Sequence, residues 1–487
     1  MSMIPDLVPV LPELFVAVAG LALLMLGVFR KEDNTGPVSV MVILVMAAAM
    51  VLVSGLGGEK LTAFNGLFIS DRFSGFAKAL ILLASAFSVA MSLSFLAKEK
   101  IGKFEYPVLV LFATLGMMMM VSANDFMSLY MGLELQSLSL YVLAAYNRDN
   151  LKSTEAGLKY FVLGALASGM LLYGVSLLYG FAGTTSFEGL ANVFAGGHGH
   201  HVKPGIGIIA GLVFVVAGLS FKISAVPFHM WAPDVYEGAP TPVTSFFAVA
   251  PKIAALCLFV RVMTGPFADL VEQWRQVVSF IAFGSMFVGA FAAIAQTNIK
   301  RLMAYSSIGH VGFVLVGVAA NSVLGVQGVL IYLAIYLFMN VGAFAVILSM
   351  RQKGRLVEGI GDLAGLSKTN PMMAFIMAML MFSMAGVPPL AGFWGKFYVF
   401  MAAVEAGLFT LAILGVLSSV VSAYYYLRII KIMYFDEPAE ALDRPVGRSM
   451  AVVMALSILV VLAFTFVPAP LVTGAKAAAA VLFPVAG

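Results

Sequence analysis

Fourteen apolar runs, bounded by charges or by clusters of Gly, Pro and Asn, occupy residues 8–28, 37–55, 73–97, 106–122, 125–147, 159–182, 205–226, 241–263, 276–296, 301–320, 327–350, 371–398, 405–434 and 449–470. About 20 consecutive apolar residues let a helix cross the hydrocarbon of a bilayer, because such a helix satisfies its own backbone groups. The same pattern excludes a water-soluble domain. Of the 487 residues 62% are hydrophobic and 11% charged, whereas soluble proteins carry about 25% charge. The runs are continuous rather than alternating, which excludes a porin-like barrel. The expected fold is an all-α polytopic membrane protein of about 14 transmembrane helices.

The net charge of +4 reports loop basicity rather than an anionic partner, and nothing points to nucleic acid. Basic residues outside the runs divide 17 to 5 between the two sets of loops, the minority being Lys60, Arg72, Lys203, Arg275 and Lys476. The positive-inside rule then places the loops after runs 1, 3, 5, 9, 11 and 13 in the cytoplasm and both termini outside it. No basic segment or cleavage pattern accompanies the first run, so it is expected to remain as a span. Cys257 is the single cysteine, which leaves no disulfide and no Cys-ligated cluster or zinc within the chain. His198, His200 and His201 have no acidic or Cys companion at ligand spacing, so no metal is expected there. Phosphate-binding, flavin and nicotinamide fingerprints are absent from the sequence.

Six basic residues fall inside apolar runs: Lys78, Lys159, Lys222, Lys252, Arg261 and Lys396. A Lys at mid-bilayer costs about 2.5–3.5 kcal/mol on the insertion scale, so such residues mark function by default. Lys222 precedes Ile223-Ser224-Ala225-Val226-Pro227, Lys252 follows Pro251 deep in its run, and Lys396 follows Val387-Pro388-Pro389. Glu134 is a lone acid midway along the fifth run. These four are the candidate functional residues. His229, beside Pro227, and His310, inside the tenth run, suit a proton relay because imidazole titrates near physiological pH. Lys159 lies about one turn from a run end and is an accessory candidate. Lys78 and Arg261 are expected to snorkel, and Asp71 and Asp125 to cap helices.

Prolines break runs 7 and 12, each beside a Trp and a basic residue, and five runs separate the breaks. An odd number of spans per unit inverts successive units in the membrane, so runs 4–8 and 9–13 read as an inverted repeat with broken helices 7 and 12. The corresponding divisions are 1–105 (three helices), 106–263 (first five-helix repeat), 276–434 (second repeat) and 449–487 (last helix and tail).

The chemistry such a set supports is proton movement rather than bond making. Burial penalises the charged form of an amine, and a carboxylate brought near restores it. Glu134 with Lys222 would form a switchable pair, with Lys252, His229 and Lys396 passing protons through water at the helix breaks.

Residues Phe221 to Thr244, reading FKISAVPFHMWAPDVYEGAPTPVT, closely resemble the signature of the antiporter-like membrane subunits of proton-pumping NADH:quinone oxidoreductase, respiratory complex I. Gly132-Leu133-Glu134-Leu135, Ala250-Pro251-Lys252 and Gly392-Phe393-Trp394-Gly395-Lys396 carry the same likeness, which extends over essentially the whole chain. The Val-Tyr-Glu-Gly-Ala-Pro-Thr form, and the Lys at 396 where subunit M carries an acid, resemble one branch of this family rather than subunits L or M. The chain ends at Gly487 with no long lateral helix, which also speaks against L.

The resemblance implies proton translocation by Glu134, Lys222, Lys252 and Lys396, with Lys159 and His229 accessory. It implies no cofactor in this chain, with NAD, FMN, iron–sulfur clusters and quinone used elsewhere in the complex. It also implies an enzyme role only as part of that translocase, a place in the bacterial inner membrane, and subunits M, K and J as neighbours. Rival readings are an Mrp-type cation/proton antiporter, a non-pumping structural subunit, and a haem-bearing membrane oxidoreductase.

Overall fold

The computed structural model describes residues 7–29, 34–196 and 205–483; the His198–His201 cluster lies outside them. The first half contains α1 (Leu11–Phe29), α2 (Thr35–Gly55), α3 (Arg72–Lys98), α4 (Glu105–Val121), α5 (Phe126–Ala144), α6 (Leu151–Ala182), the short α7 (Phe187–Phe194), α8 (Ile206–Lys222), α9 (Trp231–Gly238) and α10 (Thr241–Thr264). The second half contains α11 (Val271–Ile294), α12 (Ile299–Ala319), α13 (Val323–Leu348), the single turn α14 (Leu366–Thr369), α15 (Pro371–Ala385), α16 (Ala391–Glu405), α17 (Phe409–Phe435), α18 (Arg448–Ala463) and α19 (Ala469–Ala480). Two antiparallel hairpins punctuate the loops: β1 (Leu61–Ala63) pairs with β2 (Phe68–Ser70), and β3 (Arg351–Gln352) with β4 (Arg355–Leu356).

Helix occupies every one of the fourteen runs; α8 fills run 7 and helix resumes as α9 just beyond it, while run 12 holds α15 and the start of α16. Five of their starts are fixed by side-chain caps that satisfy the first free N–H groups. Asp71 caps α3 in a reciprocal pair with Ser74, Asp125 caps α5, Asn150 caps α6, Asn298 caps α12 and Ser322 caps α13. The sixth run begins earlier than its apolarity suggests: Asn150 starts α6 eight residues upstream, so Lys159 stands more than two turns inside the helix.

Both breaks have local causes. Between α8 and α9 the chain carries Ser224 at φ 60° and then Pro227, which has no N–H to donate. The gap is bridged by Trp231 Nε1 donating to Phe221 O at 3.1 Å and by Val226 N donating to Ser285 Oγ at 2.9 Å. Gly386 ends α15 in the left-handed region at φ 90°, and Pro388-Pro389 follow before α16.

Packing places α10, α12 and α13 at the centre. Every residue of α10 is buried, and the other two are buried over nearly their whole length. Outward faces of α1, α2, α6 and α17 instead expose Leu, Val, Phe and Met. That distribution suits a protein surrounded by lipid, where apolar groups face out as well as in. The chain is a multi-pass membrane protein. Close helix crossings are built on glycine: a Cβ on Gly116 of α4 would lie 2.5 Å from Gln136 N of α5, and one on Gly289 of α11 would lie 2.5 Å from Gly309 N of α12.

Two interior cations depart from expectation. Lys78 and Arg261 do not snorkel; both are buried in ion pairs. Lys78 Nζ lies 2.7 Å from Glu13 Oε1 of α1. Arg261 holds Asp71 through two bonds, Nη1 to Oδ2 at 3.0 Å and Nη2 to Oδ1 at 2.8 Å. Their partners lie 65 and 190 residues away in the chain, beyond the reach of a run-by-run reading. Asp71 does cap α3, as expected, and also serves Arg261.

Candidate functional site

The fold collects the unpaired interior cations into one connected system. On α5, Glu134 and Ser137 are three residues apart and share a face. Ser168 of α6 donates to Glu134 Oε1 at 2.5 Å, and Lys222, at the end of α8, donates to Ser137 Oγ at 2.8 Å. Among the described residues none of Glu134, Lys222, Lys252 and Lys396 belongs to an ion pair within 4.0 Å. Glu134 and Lys222 therefore stand on neighbouring positions of one face, each held by a hydroxyl.

From Lys222 an aromatic series leads inward. Its ammonium lies 5.9 Å from the Tyr141 ring; Tyr141 meets Tyr160, and Tyr160 stacks on Trp231 at 4.4 Å. Trp231 contacts Tyr236, over whose ring the Lys252 ammonium sits at 5.5 Å.

The element that joins the halves is α12. Ser306, Ser307, His310 and Phe313 lie along one side of it at helical spacing. Lys252 donates to Ser307. One turn on, His310 Nδ1 lies 2.6 Å from the Tyr332 hydroxyl of α13 and Nε2 lies 3.0 Å from the Tyr426 hydroxyl of α17, which also bonds Ser306. A further turn brings Phe313, whose ring centre is 4.7 Å from Lys396 Nζ. Lys396 itself donates to Ala385 O at 2.9 Å and Ser419 Oγ at 2.8 Å, at the end of α15 and on α17. The α12 stripe thus touches Lys252 on one side and Lys396 on the other. Hydroxyls, phenols and imidazole both donate and accept, so these partners can hand a proton on.

Two expected residues lie elsewhere. His229 is half-buried at the rim of the first break, and no hydrogen bond joins it to Lys222 or Lys252. Lys159 stands in a half-exposed charged cluster around α9. It pairs with Glu155 at 2.7 Å and Asp234 at 2.8 Å; Arg301 bonds Asp234 at 2.7 Å and Glu237 at 3.2 Å, and Lys152 pairs with Glu237 at 3.1 Å. Lys300, fully buried, donates to Glu237 O and Ala239 O, both at 2.8 Å, and to Glu358 Oε1 at 3.0 Å. The cluster lines a cavity of about 190 Å³ on the side of the Lys/Arg-rich loops. Sequence reasoning passed over Asp234, Glu237, Lys300, Arg301 and Glu358, and likewise Ser137, Ser307, Tyr332 and Tyr426. The first group looked like ordinary loop charge, and the second is visible only once helices far apart in sequence are packed. No group of three His, Cys, Asp or Glu side chains able to hold a metal stands among the described residues.

A helical membrane bundle with broken helices and a chain of ionisable groups at mid-depth defines an antiporter-like membrane subunit. The profile of the family described as NADH:quinone oxidoreductase/Mrp antiporter, TM, matches residues 123–422, which contain Glu134, Lys222, Lys252, His310 and Lys396. The chain belongs to that family. It is 83% identical over 482 residues, 99% of both chains, to NADH-quinone oxidoreductase subunit N of Paramagnetospirillum magneticum. Among solved structures it is similar to a chain of respiratory complex I from Thermus thermophilus with bound aureothin, with a TM-score of 0.81 and 33% identity over 96% of this chain and 99% of that one. A chain of the Mrp complex from Dietzia shares the fold, with a TM-score of 0.87 at 22% identity over 98% of both chains.

Proposed function

We propose that the chain acts as the subunit-N type of antiporter-like component in the membrane arm of a bacterial complex I. It moves protons along Glu134, Lys222, Lys252, His310 and Lys396 while NADH is oxidised and quinone reduced in other subunits. The observation that carries this reading is the stripe on α12: Lys252 donates to Ser307, His310 one turn on bonds the Tyr332 and Tyr426 hydroxyls, and Phe313 a turn further faces Lys396, so both lysines border the stripe and neither is neutralised by a carboxylate. Interior cations serving structure, Lys78 and Arg261, are by contrast paired with acids.

Fourteen spans are supported by the helices that fill the fourteen runs, nine of them long and apolar and four shorter ones also apolar, with α5 adding the span that carries Glu134. The inverted repeat, α4–α10 against α11–α17, is supported by matching packing. In each half the first helix packs on the second and on the last, and the third packs on the broken one. The divisions 1–105, 106–263, 276–434 and 449–487 follow from it. In this reading both termini face away from the cytoplasm, the α9 cluster with Lys159 forms the cytoplasmic intake, and His229 is accessory at the first break. Subunits M, K and J are neighbours. NAD, FMN, iron–sulfur clusters and quinone belong to the parent translocase, and this chain carries no redox centre.

Lys252→Met tests the reading. The substitution keeps length and apolar bulk while removing the ionisable group. With the complex assembled, vesicles are expected to lose proton translocation and to slow quinone reduction together. An unchanged proton-to-electron ratio would leave Lys252 a structural residue.

A further inference from the structure

A cavity of about 470 Å³ opens between α2, α3 and α19, at the end of the bundle away from the Lys/Arg-rich loops. Its inner wall is apolar or small: Met50 and Val53 from α2, Phe76 and Ala79 from α3, and Gly474 and Ala477 from α19. Its rim is polar, with Arg72 and the Gly57-Gly58 turn. The charges around it do not cancel. Asp71 is neutralised by Arg261 and Lys78 by Glu13, whereas exposed Arg72 has neither an ion pair nor a hydrogen-bond partner among the described residues. One uncompensated guanidinium therefore stands at the mouth of an apolar slot, where a helix enters the hydrocarbon.

We infer that this slot holds an anionic phospholipid, with the headgroup phosphate on Arg72 and an acyl chain along α3 past Ala79. Arg is suited to this because its planar fork meets phosphate oxygens through two N–H groups at once. An acyl chain suits the wall because Gly474 and Ala477 opposite Ala79 leave a channel that the protein's own side chains do not fill. A cation near an anionic membrane surface adds about fivefold in affinity per Lys or Arg. A zwitterionic lipid offers the same chain without the net charge.

The test uses membranes containing the assembled complex and a phosphatidylglycerol with a photoreactive acyl chain, with labelled peptides mapped by mass spectrometry. Labelling is expected in residues 50–58, 72–79 and 474–477, to fall about fivefold in Arg72→Gln, and to disappear in Ala79→Trp, which fills the slot. The corresponding phosphatidylcholine probe should label these peptides about fivefold less, and excess inorganic phosphate should not displace the phosphatidylglycerol probe. Arg72 is exposed and unpartnered, so its replacement leaves assembly intact even where Ala79→Trp does not. Equal labelling of wild type and Arg72→Gln, or equal labelling by the two lipids, would overturn the inference. Displacement by inorganic phosphate would show an anion site without a lipid chain and would overturn it as well.

Discussion

Lys300 makes the second half of the broken seventh span measurable. Its buried ammonium closes the C-terminal end of α9 by donating to Glu237 O and Ala239 O, each at 2.8 Å, and anchors that end to Glu358 at 3.0 Å. Lys300→Met keeps the length and removes all three bonds. Glu358 retains Asn298 as a donor at 3.1 Å, so it is not stranded. Ala239 O likewise keeps Thr244 Oγ1 as a donor at 3.4 Å, so only Glu237 O is stranded, and a buried unsatisfied polar group costs about 1–3 kcal/mol. Relief from burying an ammonium offsets part of this, which leaves a loss of about 1–2 kcal/mol. The N-terminal part of α9 is held by Trp231 and Tyr236, so the loss falls on local opening of its C-terminal end. It corresponds to amide exchange roughly 5- to 30-fold faster in residues 231–238. Hydrogen–deuterium exchange of the assembled complex reads this directly, with α13 as an internal standard that should not move. Unchanged exchange in α9, with Lys300 absent and the complex intact, would refute the assignment of Lys300 as the clamp.

Other expectations follow from buried geometry. Gly392→Ala would set a Cβ 1.8 Å from Ser383 O and should prevent a correctly closed second break, seen as loss of assembly, whereas Gly36→Ala, with open space around it, should assemble normally. Lys78→Met alone strands Glu13 and should destabilise by about 3–5 kcal/mol, while Lys78→Met with Glu13→Leu should recover most of that in thermal unfolding of the solubilised complex; a double variant as unstable as the single one would contradict the pairing. Burial pushes the Asp71 carboxyl up, but the Arg261 guanidinium and Ser74 pull it further down, below its ordinary 3.8. A lowered folded value means that the Asp71 contribution is complete above pH 3.8 and is lost as pH falls through the folded value. The melting-temperature gap between wild type and Asp71→Asn should thus be constant near neutrality and narrow in acid, and a gap independent of pH would refute it.

What the sequence shows and what it hides divide along physical lines. Apolar runs, caps such as Asp71 and Asp125, and the breaks at Pro227 and Pro388 depend on neighbours within a few residues, so they are legible in one dimension. Lys222, Lys252 and Lys396 are conspicuous because a cation inside an apolar run is costly wherever it ends up. Their partners are not conspicuous: Ser137, Ser307 and Ser419 are ordinary helix residues until packing turns them toward an ammonium. The same blindness misassigned Lys78 and Arg261, since length and position near a run end say nothing of an acid waiting on another helix. Lys300 and Arg301 were counted as loop charge because the tally that orients the chain treats every basic residue alike.

The position of the ionisable groups along their helices has an electrical consequence. Lys252 stands eleven residues from one end of α10 and twelve from the other, His310 eleven and nine from the ends of α12, and Glu134 eight and ten from those of α5. All three sit near the same potential in an energised membrane, where a full crossing is worth about 2.3 kcal/mol per charge per 100 mV. A proton handed among them travels along an equipotential and does almost no work against the voltage. Under the proposed function the work then falls on the two vertical legs, from the α9 cluster to the row and from the row to the far side. Those legs, rather than the row, are where a change in membrane voltage would retard turnover.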